Sequence, residues 1–179
     1  MDRKDFFKSA CELGICSCVG IGLLSMDSLR GTKNQETDWK ERFVKHRFAK
    51  LIDILDSTLD ENTKNQIIES LGKECSMNSF AKKYKNNPEG FFNEIQSRWE
   101  ENATYDKEKG IIRIETPERD CVCPFVDSKV ISKSICQCSV GWQTQTYNTI
   151  LDREVEAKCI ESVVRGNNRC VFEVRILDS

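Results

Sequence analysis

Residues 154–177 read EVEAKCIESVVRGNNRCVFEVRIL. In the first half Val155, Ala157 and Cys159 alternate with Glu154, Glu156 and Lys158. In the second half Cys170, Phe172, Val174 and Ile176 alternate with Val171, Glu173 and Arg175. A period of two means strand, with one face apolar and the other wet. The break at Gly166-Asn167-Asn168 is a turn, so the stretch is a hairpin with Cys159 and Cys170 facing inward, near each other. A second hairpin, ATYDKEKGIIRIETP, starts at residue 103 and turns at Lys107–Gly110.

Upstream the period changes to helical. Asp38 and Glu41 make a capping box. Phe43/Val44, Phe48, Leu51/Ile52 and Leu55 follow at three-to-four spacing. A second helix carries Ile67, Ile68 and Leu71, and a short third carries Phe80, Ala81 and Tyr84. Asn87 caps a further helix with Pro88 at its first position, and Phe92, Ile95 and Trp99 share its inner face. The expected fold is α+β, with N-terminal helices packed on a small antiparallel sheet of two hairpins.

The chain has 179 residues, 39% hydrophobic and 31% charged. That fits one domain, residues 38–179, after a polar linker at 27–37 and a signal-like apolar segment at 1–26. A net charge of −2 and a pI near 5.6 give no basic field for nucleic acid. The charged start, Arg3-Lys4-x-Phe6-Phe7-Lys8, and the apolar run Ala10–Leu24 resemble a twin-arginine export signal, with Lys4 in place of the second arginine. The run is too short for a stable membrane span. Export is the expectation, and a cytoplasmic protein with an apolar N-terminal helix is the alternative. Oligomeric state is not legible.

Ten cysteines stand in the chain: three in the first eighteen residues, one at Cys75 and six between Cys121 and Cys170. A disulfide scaffold spreads its bridges through a chain lacking a core; this clustering describes a local site. CVCPFVDSKVISKSICQCSVGW (121–142) holds two Cys-x-Cys pairs. In extended backbone such a pair points both sulfurs one way, roughly 7 Å apart. Four thiolates suit tetrahedral zinc, and an iron–sulfur cluster fits the spacing less well. Cys138 is also placed as a thiol at a helix N-terminus capped by Ser139, which would favour a thiolate. Cys75 reads as a buried thiol, and the single histidine, His46, as a solvated surface residue.

The motifs CSVGW (138–142), VEAKC (155–159) and GNNRCVFEV (166–174) resemble the C-terminal half of the 4-vinyl reductase-type small-molecule-binding domains. The resemblance extends to 2-amino-thiazoline-4-carboxylate hydrolase-like proteins and to cysteine-rich anaerobe proteins. It implies an α+β ligand-binding domain. In sensor members three such cysteines and an acidic residue hold a structural zinc beside the pocket. By resemblance Cys138, Cys159 and Cys170 would be ligands here, with Cys123 or Cys121 in the acidic position and Cys136 a further thiol. Trp142, Tyr147 and Phe172 are candidate pocket residues that read equally well as core.

Three functions follow as alternatives. One is a small-molecule-binding module with a cysteine-bound zinc. Another is a hydrolase of a small heterocyclic or amide substrate, using a thiolate or a metal-activated water. The third is a partner-binding protein whose cysteines form disulfides.

Overall fold

The change of period near residue 103 is a change of secondary structure in the computed structural model of the chain. The structure describes residues 31–177, with side chains from Trp39 onward. The expected signal-like segment therefore lies outside the described residues. The chain divides into two units, Met1–Asp38 and Trp39–Ser179, and every strand and every helix after the first belongs to the second.

Among the described residues four α-helices precede or interrupt the strands. They are α1 (Gly31–Thr58), α2 (Glu61–Met77), α3 (Pro88–Trp99) and α4 (Cys136–Leu151). Helix α1 starts at Gly31, so residues 31–37 of the expected linker are helical and Asp38 lies inside the helix rather than at its cap. Its inward face is Phe48, Ala49, Ile52 and Leu55, while Phe43, Val44 and Leu51 are exposed. The α2 cap is Asp60, whose carboxylate accepts the Thr63 N–H at 3.0 Å. Asn87 caps α3 as the sequence predicts, its side-chain oxygen accepting Gly90 N–H at 2.9 Å with Pro88 at the first position. Phe91 and Ile95 are the buried residues of α3, flanked by Phe92 and Trp99.

The strands are β1 (Asn102–Asp106), β2 (Ile111–Glu115), β3 (Val155–Glu161) and β4 (Val171–Ile176). They form one antiparallel sheet in the order β1-β2-β4-β3, so the two expected hairpins join through β2 and β4. The first turn falls at 107–110 as read from the sequence. The Asp106 carboxylate accepts the N–H groups of Glu108 and Lys109, and Gly110 takes a left-handed φ of 64°. The second connection is longer than the expected turn. A 3₁₀ turn, Val163–Arg165, precedes Gly166, whose φ is 101°. The pairing is irregular between Cys159 and Glu161, and Cys159 pairs with Phe172. Cys170 lies outside β4, two residues before Phe172, so the two cysteines are not direct cross-strand partners.

Among the described residues two apolar clusters hold the fold. The larger joins α3, α4 and the sheet through Phe91, Ile95, Ile112, Tyr147, Ile150, Val174 and others. The smaller joins α1 and α2 to the segment after β2 through Ala49, Ile52, Ile68, Val126, Ile131 and Ile135. Burying an isoleucine or phenylalanine contributes about 1.5–3 kcal/mol, so these residues dominate the stability.

Helices α2 and α4 meet backbone to backbone. A Cβ on Gly72 would sit 1.8 Å from the Cys138 carbonyl oxygen, and one on Gly141 would sit 2.0 Å from the Glu69 carbonyl oxygen. No side chain fits at either point. Ser76 and Thr146 exchange a buried 2.7 Å hydrogen bond along the same seam. The inner stripe of α2 is thus Ile68, Gly72 and Ser76, while Ile67 and Leu71 are partly exposed.

Candidate functional site

The six cysteines between 121 and 170 gather where the two apolar clusters meet, but on different sides. Cys121, Cys123 and Cys138 pack against the smaller cluster. Cys159 and Cys170 pack against the larger. Cys136 is the most buried of the six, at 6% exposure.

Local backbone explains the division. The first Cys-x-Cys lies in irregular chain that is pinned at both ends. Arg119 donates to the Trp99 carbonyl at 2.7 Å and to Glu101 at 2.8 Å, and Val126 N–H donates to the Cys123 carbonyl at 3.0 Å. The second pair is helical, because α4 begins at Cys136 behind a 3₁₀ turn at Lys133–Ile135 that Ser132 caps. Residues two apart on a helix point about 200° apart, so these sulfurs diverge. The expected start of the helix at Ser139 is therefore corrected. Cys136, and not Cys138, opens the helix.

Cys136 faces the β3 end. Its sulfur lies 3.1 Å from Ser162 Oγ and in side-chain contact with Cys159. Ser162 is 2% exposed, and its Oγ also accepts the Arg165 N–H at 3.1 Å. Its hydroxyl proton is thereby free to point at the sulfur. The Cys159 thiol donates to the Glu161 carbonyl at 3.4 Å. Donation from Cys159, reinforced by Ser162 and by the Arg165 guanidinium, outweighs burial and lowers the Cys136 thiol to about 6. Cys159 is pushed up, chiefly by holding the proton it gives to Cys136.

Cys138 is the opposite case. Burial, with Cys75 and Cys123 nearby, pushes its thiol up to about 12. It is a neutral thiol and not the activated nucleophile that its sequence position suggested. Burial also raises Cys121 and Cys170.

The four expected zinc ligands, Cys123, Cys138, Cys159 and Cys170, thus split two and two between the clusters. As placed they do not form one tetrahedral set. Among the described residues no group of three histidine, cysteine or acidic side chains converges as ion ligands.

What these thiols share is a cavity of about 220 Å³, walled by Phe48, Phe125, Val126, Ile135 and Phe172 as well as by sulfur. Cys121, Cys123, Cys136, Cys138 and Cys170 line it, and Leu71 and the exposed Cys75 also contribute. Cys75 is thus not the buried thiol expected. Of the three candidate pocket residues only Phe172 lines this cavity. Trp142 packs edge-on against Trp99, and Tyr147 is wholly buried against Phe91. His46 is exposed on α1, as expected. Sequence reasoning missed Ser162. Its only sequence signal is that of a serine capping a short turn before Gly166.

No protein-family model and no curated protein matches the chain. Solved structures of similar shape include trafficking protein particle complex subunit 3 from Naegleria fowleri, covalently bound to palmitic acid. It is 13% identical, covers 79% of this chain and 97% of its own, and has a TM-score of 0.48. A vinyl-4-reductase family protein from Methanocaldococcus jannaschii is 18% identical over 89% of this chain and 100% of its own, with a TM-score of 0.40. The second bears the family name that the C-terminal motifs resemble. Neither likeness lends a ligand, a metal or a residue role to this chain.

Proposed function

We propose that the chain is a small-molecule-binding domain that takes a compact apolar ligand into the thiol-lined cavity. The observation that carries this reading is the wall itself. Aromatic and aliphatic side chains from α1, α2, β4 and the 118–135 segment converge there, with sulfur as nearly the only heteroatom. Binding cavities for drug-sized ligands run from about 300 to 1,000 Å³. At about 220 Å³ this one suits a single ring or a short chain.

A hydrolase is the second reading, favoured by the Cys136 thiolate at the wall. It meets one difficulty. Among the described residues no carboxylate, histidine or lysine lines the cavity, so no general base is at hand to activate water there.

The test is calorimetric titration of the full chain with phenol and indole, repeated with Leu71→Trp. Leu71 lines the cavity and is 43% exposed, so tryptophan there blocks the opening with little strain. Binding by the parent and at least tenfold weaker binding by the variant is expected. Equal binding by both would place the ligand elsewhere.

A further inference from the structure

From the outward face of α1, we infer that the protein docks on anionic lipid membranes, with that helix lying flat in the headgroup layer. Helix α1 has two apolar faces. Phe48, Ala49, Ile52 and Leu55 turn inward and pack on the smaller cluster. Trp39, Phe43, Leu51 and Ile54 turn outward, each about half exposed. Positions 39, 43, 47, 50 and 54 follow the three-to-four spacing of one helical stripe, and Val44 and Leu51 lie beside it. Helix over residues 39–54 spans roughly 24 Å. A contiguous apolar strip of that length, left in water, marks a surface that meets a partner.

Charge identifies that partner. Lys40, Arg42, Lys45, Arg47 and Lys50 stand against Glu41 and Asp53, so residues 39–54 carry +3 in a chain of net −2. Of the two acids, Glu41 is already paired with Lys45 at 2.7 Å. Arg47 and Lys50 sit within the apolar stripe itself and are exposed. The Arg47 guanidinium lies 5.1 Å from the Phe43 ring centre, and the Lys40 ammonium 5.9 Å from that of Trp39. Long cationic side chains laid along aromatic rings suit a bilayer interface. Their stems and the rings enter the acyl boundary while the charges stay at phosphate level.

A second copy of the chain fits the face less well. A two-fold pairing sets the stripe against itself, so Arg47 and Lys50 would meet cations, and the stripe holds no acid to offset them. Nucleic acid offers phosphate but no apolar layer for Leu51 and Ile54. Among the described residues no helix is long and apolar enough to cross a membrane, and lying in the interface requires none. Docking does not require the cavity ligand proposed above.

The experiment co-sediments the full chain with vesicles of phosphatidylcholine, alone or mixed equally with phosphatidylserine. Binding to the mixed vesicles is expected, at least tenfold weaker on phosphatidylcholine alone and weakened by salt. A cation at an anionic leaflet is worth about fivefold in binding. Reversing two, in the double variant Arg47→Glu with Lys50→Glu, is therefore expected to weaken binding more than tenfold. Leu51→Ser with Ile54→Ser should also release the protein, while Ile160→Ser, exposed on the sheet, should bind like the parent. Circular dichroism checks that each variant is folded; all these positions are exposed. Binding that the charge reversals leave unchanged places the lipid contact elsewhere in the chain and overturns the inference. So does a dimer in sedimentation equilibrium that Leu51→Ser dissolves and that ignores vesicles, which would assign the face to a second copy.

Discussion

The two Cys-x-Cys pairs have the same spacing and opposite behaviour. Cys121 and Cys123 sit in irregular chain on one side of the cavity and share a cluster. Cys136 and Cys138 occupy the first turn of α4 and turn away from each other. One sulfur meets Ser162 and Cys159, and the other lies by Cys75 and Cys123. The result is one thiol at about 6 and another at about 12, two residues apart. Spacing names the residues in a motif; the backbone period decides whether they act together.

The harshest way to break this contrast is Gly141→Ala. The new methyl would meet the Glu69 carbonyl at 2.0 Å and push the start of α4 off α2. A loss of about 3 kcal/mol in urea unfolding is expected, enough to leave a marginal domain largely unfolded. Stability within 0.5 kcal/mol of the parent, on the same scale, would mean that the helices do not cross so closely. Ile131→Ala acts on the other pair. Ile131 is 7% exposed and anchors the segment that carries Cys121 and Cys123. The expected loss is about 2 kcal/mol, with faster alkylation of those two thiols and an unchanged rate at Cys136.

The mildest test is pH. Cys136 is expected to alkylate at pH 7.5 while Cys138 does not, and the Cys136 rate should fall only as pH drops through about 6. Stability follows the same groups. A thiol lowered by the fold from its ordinary value near 9 stabilises the native state fully above 9, and that contribution is lost as pH falls through about 6. Cys138 adds the reverse trend. Its thiol stays neutral in the fold while an unfolded chain ionises, so stability is lost between about 9 and 12. A flat profile from pH 6 to 9, measured by chemical unfolding, would contradict the Cys136 assignment.

Much of the fold was legible. Alternation announced both hairpins, Asp106 and Gly110 marked the first turn, and Asn87-Pro88 marked the start of α3. These signals are local, and local chemistry settles them. The second connection was not legible, because neither the 3₁₀ turn at Val163–Arg165 nor the irregular pairing after Cys159 leaves a mark in the alternation. Their effect is to pair Cys159 with Phe172 rather than with Cys170, although both cysteines still face the larger cluster. The thiol cluster was legible as a region and not as a set of partners. Which sulfur meets which depends on α4 starting four residues earlier than its serine cap implied, and on Ser162 folding back from the far end of β3. The choice of Ile68 over Ile67 as the inward residue of α2 follows from the glycine contact, which hydrophobic periodicity does not register.

That contact constrains how such a sequence can drift. Gly72 abuts a carbonyl of α4, and Gly141 abuts a carbonyl of α2. Each meets backbone, so no partner side chain can shrink to make room for a larger residue. Ordinary core positions exchange volume with their neighbours over generations; these two have nothing to trade. Any descendant chain that keeps the crossing must keep both glycines.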